Sequence, residues 1–162
     1  MTIINISIEK LCRINMKKSQ AKPPFKGSCL CGDVTYSVDK IEDQMAHCHC
    51  SMCRKFHGAA FATFGEAKVE NFRWLSGQEQ LKEYVGHNGS RRLFCNHCGS
   101  SLVFIPSFDN GSFVEFALGT LDTDIPNQPD AHIFTSTSVC WNEVSDTLPQ
   151  YRQGRGTAHS AE

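Results

Sequence analysis

The chain has 162 residues, of which 40% are hydrophobic and 20% are charged, and its formal net charge at pH 7 is −1. This is the composition of an ordinary globular domain, and the nearly neutral charge argues against a nucleic-acid-binding or membrane-surface role. No apolar run is long enough for a signal peptide or a transmembrane helix, so the sequence predicts a cytoplasmic protein. Its short basic pairs, such as Arg91-Arg92, are expected to be solvated surface.

The ends of the chain differ in composition from its middle. Residues 1–25 include a linker-like stretch before Lys26 and are predicted to form a poorly ordered N-terminal extension. Residues 26–151 carry the regular hydrophobic patterns and the paired cysteines, so we expect them to form a zinc-binding domain. Residues 152–162 are predicted to form a frayed C-terminal tail.

The hydrophobic pattern from Lys26 onward predicts a mainly β fold. Val34, Tyr36 and Val38 alternate with polar residues after a glycine, which is the period of a half-buried strand. Glycine and asparagine turn signals separate the strand-like segments, and a helix of one or two turns is expected only over residues 51–56. Further strands are predicted at residues 59–64, 81–85, 102–105 and 113–118.

Nine cysteines distinguish this sequence from that of an ordinary globular protein. The odd count and the tight C-x-C and C-x-x-C spacings favour metal ligation in a reducing compartment over disulfide bonds. Cys12 and Cys140 stand apart, and Cys140, next to Trp141, is expected to be a small buried side chain rather than a ligand. The other seven divide naturally into a set of four and a set of three. They form the groups Cys29-x-Cys31, Cys48-x-Cys50-x-x-Cys53 and Cys95-x-x-Cys98.

Two of these groups are suited to a closed site with four thiolates. Cys95 and Cys98 are separated by two residues and followed by Gly99, which allows the chain to turn around one metal ion. Cys29 and Cys31 would lie on one side of a strand and face the same ion. Zinc is the expected occupant of such a structural site, although a single iron or an iron–sulfur cluster uses the same ligands.

The remaining group of three cysteines is suited to an open site. Three protein ligands leave one position of a tetrahedral zinc ion for water or substrate, which is the pattern of a catalytic site. The alternative is a closed structural site in which a histidine is the fourth ligand. Strand alternation would place His47 and His49 on the face opposite the cysteines, so His57 is the candidate for that ligand.

Charged and titratable residues beside the three-cysteine group could take part in its chemistry. Arg54 and Lys55 follow Cys53 directly, and a cation there would stabilise a zinc ion with three thiolates or hold an anionic ligand. Both side chains could equally face solvent. His49 or His57 could carry a proton during a reaction, although an ordinary surface or supporting role is commoner for histidine.

The order and the gaps of all seven cysteines resemble the glutathione-dependent formaldehyde-activating enzyme family, whose domain is shared by centromere protein V-like proteins. The resemblance covers residues 26–151. Its motifs are Gly27-Ser-Cys-Leu-Cys-Gly32, Cys48-His-Cys-Ser-Met-Cys-Arg-Lys55 and Phe94-Cys-Asn-His-Cys-Gly-Ser100, with further matches at Gly119-Thr-Leu-Asp122, at His132-Ile-Phe134 and from Trp141 to Pro149.

This resemblance implies a fold of small coiled antiparallel sheets, sometimes called a β-tent, organised around a structural zinc ion. It implies a carbon–sulfur lyase type of enzyme that joins glutathione and formaldehyde, or another small aldehyde, into an S-hydroxymethyl adduct. The implied cofactors are two zinc ions, and the implied partners are a small thiol and a small aldehyde. The structural zinc would be held by Cys29, Cys31, Cys95 and Cys98, and the catalytic zinc by Cys48, Cys50 and Cys53.

Two mechanisms and a rival function stay open at this point. Coordination to zinc would deprotonate the substrate thiol, or the zinc would polarise the aldehyde oxygen as a Lewis acid. The rival function is a non-catalytic, zinc-stabilised scaffold that binds a protein partner, which a closed second site would favour. A zinc-ribbon nucleic-acid binder is disfavoured by the near-neutral charge.

Seven paired ligands in two sets predict two zinc ions per chain. Metal analysis of zinc-supplemented protein by mass spectrometry is therefore expected to give a zinc content close to two. A content that stays at one after supplementation would remove the second site. Stoichiometric iron in place of zinc would change the identity of the metal.

Overall fold

Short strands and tight turns make up most of the described chain, which comprises residues 21–108 and 110–156 of the computed structural model. Cys12, most of the predicted N-terminal extension and the end of the predicted tail lie outside these residues. Within them there is one α-helix, α1, at Ser51–His57. The ten strands are β1 Phe25–Ser28, β2 Thr35–Val38, β3 Ala46–Cys48, β4 Ala62–Lys68, β5 Phe72–Ser76, β6 Leu81–Val85, β7 Arg91–Cys95, β8 Ser101–Ile105, β9 Phe113–Ala117 and β10 Ala131–Ile133.

The strands form two sheets, which confirms the prediction of a mainly β fold with little helix. The smaller sheet has the order β1-β2-β5, and its pairings are antiparallel. The larger sheet has the order β10-β3-β4-β9-β8-β7-β6. Its pairings are antiparallel except at one edge, where β10 runs parallel to β3 with Ile133 opposite Cys48. The coiled β-tent arrangement stays a prediction.

The strand predictions succeed for the longer apolar segments. β6 has its predicted bounds, and β8 and β9 overlap the predicted segments. β4 begins only at Ala62, because the left-handed residue Gly58 ends the helix and residues 59–61 form the connection. β5 and β7 are not among the predicted strands, because arginines interrupt their apolar residues. β3 and β10 have three residues each, which is too short for a period to show.

The helix α1 lies between a cysteine N-cap and a glycine C-cap, close to the predicted bounds of 51–56. Cys50 is the N-cap residue, and its sulfur accepts a hydrogen bond from the backbone N–H of Cys53. Gly58 has a φ of 61°, and its N–H donates to the carbonyl of Arg54. Neither α1, with seven residues, nor any other described helix has the length and apolarity needed to cross a membrane.

The hydrophobic core lies between the two sheets. Tyr36 of β2 is fully buried, and its ring stacks on that of Phe72 in β5 with 5.2 Å between the ring centroids. The same ring contacts Phe116 of β9 at 6.1 Å, and the Tyr36 hydroxyl lies 2.8 Å from Thr120 Oγ1. Burying a large side chain of this kind contributes about 1.5–3 kcal/mol. Burial also raises the pKa of the Tyr36 phenol, so the hydroxyl stays protonated at physiological pH.

The segment after β10 returns to the larger sheet. His132 and Phe134 make backbone hydrogen bonds of 2.8–2.9 Å with residues 149–153. Arg155 donates to the carbonyl of Met45 at 2.9 Å and pairs with Asp130. These contacts attach the described part of the predicted tail to the sheet, and the domain boundaries themselves stay a prediction.

Gly27 provides the space that the Tyr36 ring occupies, because a Cβ atom at this position would overlap the ring. We expect Gly27→Ala to lower the free energy of unfolding by about 1–3 kcal/mol, as measured by urea denaturation of the zinc-loaded protein. Gly119→Ala is the matched control, because nothing lies within 4 Å of its added Cβ atom. Equal losses of stability in the two variants would contradict the packing explanation.

Candidate metal centres

Four cysteines from separate parts of the chain meet where the two sheets adjoin. Cys29 and Cys31 lie in the turn after β1, Cys95 ends β7, and Cys98 lies in the turn before β8. Their sulfur atoms all lie within 4.8 Å of one another. The sulfur atoms of Cys29 and Cys31 are 3.3 Å apart, and those of Cys31 and Cys95 are 3.8 Å apart. Zinc–sulfur bonds of about 2.3 Å in a tetrahedron place sulfur atoms about 3.8 Å apart, so this donor set fits a zinc ion.

Backbone and hydroxyl groups beside this four-cysteine cluster favour thiolates. The N–H of Val34 donates to Cys29 Sγ at 3.3 Å, and Ser100 Oγ lies 3.2 Å from Cys98 Sγ. The hydrogen bond from the Ser100 hydroxyl lowers the pKa of the Cys98 thiol to about 5. Since cysteine ligands bind metals as thiolates, these contacts prepare the cluster for a cation.

The first two cysteines of this cluster meet in a turn. The prediction that Cys29 and Cys31 share one side of a strand is wrong, because β1 ends at Ser28. The chain then turns through Gly32, which has a φ of 81° that favours glycine. The turn brings the two sulfur atoms together as the predicted strand would have done.

Two contacts beyond the sulfur atoms join the same turns. The N–H of Leu30 donates to Ser100 Oγ at 2.9 Å, and His97 Nδ1 lies 2.6 Å from Asp33 Oδ2. The ion pair raises the pKa of His97 and lowers that of Asp33. Both charged side chains are exposed, and exposed pairs add little to stability. A metal ion held by the four thiols would therefore be the main connection between the turns.

The other three paired cysteines form a second cluster, at the end of β3. Cys48 is the last residue of β3, Cys50 caps α1, and Cys53 lies in the first turn of α1. Their sulfur atoms lie within 4.8 Å of one another. No histidine, aspartate, glutamate or further cysteine of the described chain joins this set. Cys48 and Cys53 are buried beside Ala62 and Phe64 of β4. Three convergent thiols in apolar surroundings are a donor set that fits zinc.

Three histidines pack together on the other face of β3 and β10. His49 Nε2 lies 2.8 Å from His132 Nδ1, and His132 Nε2 lies 3.0 Å from the carboxylate of Asp146. His47 lies beside them, with its ring 4.8 Å from that of His132. Strand alternation therefore directs His47 and His49 away from the sulfur atoms, as predicted. Burial lowers the pKa of His49 to about 4 and also lowers that of His47, so both are neutral at pH 7.

His57 lies at the end of α1 and is not among the ligand atoms that meet at the three-cysteine cluster. Its ring packs edge-on against Phe64 at 5.2 Å, and its Nε2 is buried without a hydrogen-bond partner in the described chain. Burial lowers the pKa of His57, with the charge of Arg92 as a further cause, so the ring is neutral at pH 7. Its predicted roles as a fourth ligand or a proton carrier stay predictions.

The predicted anion-binding residues, Arg54 and Lys55, have different surroundings. Arg54 donates from Nε to the carbonyl of His49 at 3.1 Å and from Nη2 to that of Thr137 at 3.2 Å. These hydrogen bonds tie α1 to the segment after β10, so much of the donor capacity of Arg54 is used within the protein. Lys55 is exposed at the rim of a cavity and keeps its ammonium group available.

Comparison with known protein families matches residues 24–137 to the family described as glutathione-dependent formaldehyde-activating enzyme. The chain belongs to this family. It is 28% identical over 124 residues to an uncharacterized lyase of Schizosaccharomyces pombe, covering 76% of this chain and 83% of that protein. It is 27% identical to a Halomonas elongata protein provisionally named as a glutathione-dependent formaldehyde-activating enzyme, covering 74% of this chain and 80% of that one. A crystal structure of a Rhodobacter sphaeroides protein matches with a TM-score of 0.52 and 26% identity, covering 60% of this chain and 87% of that chain.

This family member has a buried arginine beside the three-cysteine cluster. Arg92 of β7 is only 3% exposed, and its guanidinium carbon lies 4.8 Å from the ring centre of Phe104 and 5.9 Å from that of Phe56. The prediction that the Arg91-Arg92 pair is solvated surface is therefore wrong for Arg92. Alternation along β7 directs Arg91 to solvent, where it pairs with Glu83, and Arg92 to the opposite face. An arginine within an apolar strand is the sequence signal that could have identified it.

Arg92 is linked to the three-cysteine cluster through Phe104, because it lies over the Phe104 ring and that ring packs against the cluster. Its positive charge adds to burial in lowering the pKa of His57. Hydrogen bonds from the thiols of Cys48 and Cys53 hold the pKa of Cys50 well below that of a free thiol. A zinc ion with three thiolates has a formal charge of about −1, which a nearby cation stabilises.

Two cavities flank α1. One, of about 480 Å³, is lined by Leu30 and Cys98 of the four-cysteine region and by His57 of α1 among others. The other, of about 440 Å³, lies against Lys55, Phe56 and Arg92. Both volumes are within the roughly 300–1,000 Å³ of typical small-molecule sites.

Cys140 belongs to neither cluster, and its side chain is exposed. The prediction that it is buried is wrong, because it lies in an irregular segment after the turn at Thr135–Thr137. The neighbouring Trp141 is exposed as well, so the apolar character of this pair does not direct it into the core.

The two clusters are expected to differ in what they contribute to stability. Cys95→Ser removes one of the four thiols that meet where the two sheets adjoin. A structural zinc ion there would contribute on the order of 10 kcal/mol, which is more than the whole free energy of unfolding of many domains. We expect this variant to unfold or to become insoluble. Cys53→Ser should leave a folded protein that lacks the second metal ion, because its cluster is formed within one strand–helix connection.

Circular dichroism melts and metal analysis of the two variants test this difference. Cys140→Ser is the control for loss of a thiol outside both clusters. Equal collapse of Cys95→Ser and Cys53→Ser would mean that both sites are structural.

Proposed function

We propose that this chain is a zinc-dependent carbon–sulfur lyase-type enzyme that adds a thiol to a small aldehyde and forms an S-hydroxymethyl adduct. Glutathione and formaldehyde are the first substrates to test, since the family description and the name of the H. elongata relative contain them. The S. pombe relative is named as a lyase. The observation that carries the proposal is the convergence of the thiols of Cys48, Cys50 and Cys53 without a fourth ligand from the described chain.

The two clusters are assigned different roles in this proposal. A zinc ion at the three-cysteine cluster would supply a Lewis acid that favours a deprotonated thiol or polarises a carbonyl oxygen. The all-sulfur donor sets support zinc over magnesium or calcium, which prefer oxygen ligands. The structural ion is assigned to Cys29, Cys31, Cys95 and Cys98, and the catalytic ion to Cys48, Cys50 and Cys53.

Apolar residues around the second cluster restrict the access of water. Ala62 and Phe64 pack against the buried cysteines from β4, and Phe104 and Ile133 complete this surface from β8 and β10. In such surroundings the electrostatic effect of a charged group is stronger than in water. Arg92, which lies over the ring of Phe104, would therefore stabilise negative charge at the cluster more than an exposed cation could.

A hydrogen-bonded chain supports the connection between Cys48 and Cys50. We assign His132 the tautomer in which Nε2–H donates to the carboxylate of Asp146 and Nδ1 accepts from His49 Nε2–H. The backbone N–H of His49 donates to the backbone carbonyl of Ile133 at 2.9 Å. We assign His49 the role of holding the two cysteines on either side of it in position. This role requires the neutral imidazole that its buried position favours.

Direct binding of a thiol tests the proposed function. In the cobalt-substituted protein, glutathione is expected to change the sulfur-to-metal charge-transfer bands, because a fourth sulfur ligand would enter. S-Methylglutathione cannot form a thiolate and should leave the bands unchanged. Cys53→Ser should abolish the response, and Cys140→Ser, which alters an exposed thiol outside both clusters, should keep it.

Exchange NMR of glutathione and formaldehyde provides the activity measurement that accompanies the spectra. The wild-type protein should accelerate formation of the adduct and Cys53→Ser should not. If the cobalt spectrum does not change when thiols are added, or changes only in the His57→Ala variant, the site is closed by histidine. The chain would then be a zinc-stabilised scaffold for a protein partner.

A further inference from the structure

Arg92 is a buried cation without a matching anion. Its side chain is 3% exposed and lies between the rings of Phe56 and Phe104, and no carboxylate of the described chain forms an ion pair with it. The neighbouring Arg91 is exposed and pairs with Glu83 at 2.7 Å. Burial of an arginine is costly unless its charge is compensated. We therefore expect a negatively charged group to bind next to Arg92.

The guanidinium of Arg92 borders the cavity of about 440 Å³ on the outer side of α1. Its Nη1 lies near Gly86, which forms part of the wall of the same cavity. Lys55 and His87 also line the cavity, and no aspartate or glutamate of the described chain does. The remaining wall includes Met52, Phe56 and Phe94, which are apolar. A small organic molecule with an anionic group would match this combination of a positive end and apolar sides.

The same helix connects this cavity to the three-cysteine cluster. Met52 and Phe56 of the cavity wall flank Cys53 along α1, and the ring of Phe104, over which Arg92 lies, packs against the three-cysteine cluster. An arginine in this position therefore borders the cavity and also contacts a ring that packs against the cluster.

We propose that this cavity is the subsite for a carboxylate of the thiol substrate, which Arg92 and Lys55 hold while the thiol reaches the three-cysteine cluster. The proposal rests on the proposed function, and it selects anionic thiols, such as a thiol-containing peptide, over neutral ones. Arg92 presents the planar donors that bind a carboxylate at two points, and the exposed ammonium of Lys55 closes the rim. Arg54, two of whose donors bind backbone carbonyls, does not line this cavity.

The subsite can be tested apart from thiol chemistry with S-methylglutathione, which keeps both carboxylates and lacks a thiol. Isothermal titration calorimetry of the zinc-loaded protein should detect its binding. Arg92→Gln should weaken this binding by at least about tenfold, and Lys55→Gln by a smaller factor, because charge-assisted hydrogen bonds are lost. Arg91→Gln is the matched control and should bind as the wild type does, since Arg91 lies on the opposite face. The diethyl ester of S-methylglutathione should bind the wild type at least about tenfold more weakly.

Equal binding by the wild type and Arg92→Gln, or equal binding of the acid and its diester, would overturn the subsite. Circular dichroism and zinc content check that each variant is folded. If Arg92→Gln does not fold, Lys55→Glu decides the question, because reversal of an exposed charge spares the core and should weaken binding of the acid more than that of the diester.

Cobalt spectra with 2-mercaptoethanol, a neutral thiol, separate this proposal from the proposed function. A response to 2-mercaptoethanol without binding of S-methylglutathione would overturn the subsite and leave the function standing. The opposite outcome is binding of S-methylglutathione that depends on Arg92, together with a cobalt spectrum that no thiol changes. This outcome would support the subsite and contradict the proposed function.

Discussion

The arrangement of this domain depends on four thiols that meet at the junction of its two sheets. Cys29 and Cys31 hold the turn after β1, and Cys95 and Cys98 hold the turn after β7. Four thiolates at such short separations are favourable only when a cation compensates their negative charge. Because Cys95 ends the strand that carries Arg92, the cluster also fixes the position of that arginine beside the second set of thiols. The geometry of the proposed active site would thus be set in part by the proposed structural site.

The sequence was sufficient for the parts of this arrangement that depend on spacing between neighbouring residues. The two sets of cysteines, the helix at Ser51–His57 and strand β6 all follow from local pattern and ligand chemistry. The contacts of Arg92 do not, because they require knowledge of which face of β7 lies against α1. His132 is similar: its partners His49 and Asp146 are distant in sequence and meet through a parallel pairing of three-residue strands.

Three basic residues, two on α1 and one on β7, show why charge alone is a weak guide to function. Arg54 donates hydrogen bonds to two backbone carbonyls and holds the helix in place. The next residue, Lys55, has an exposed ammonium group at the rim of a cavity. Arg92 is enclosed by aromatic rings and is the least exposed of the three. In each case the hydrogen-bond partners and the burial of the side chain, rather than its proximity in sequence to a cysteine, determine what it can bind.

The two thiol clusters also differ in the length of chain that each must close. The three cysteines of the second cluster fall within six residues, whereas Cys31 and Cys95 of the first are separated by 64 positions. The entropy of loop closure makes the longer contact costlier by about 2 kcal/mol. A newly made chain can therefore gather the second cluster before its sheets have formed, and the first only as they come together. Metal uptake at the first cluster would thus coincide with the completion of the fold.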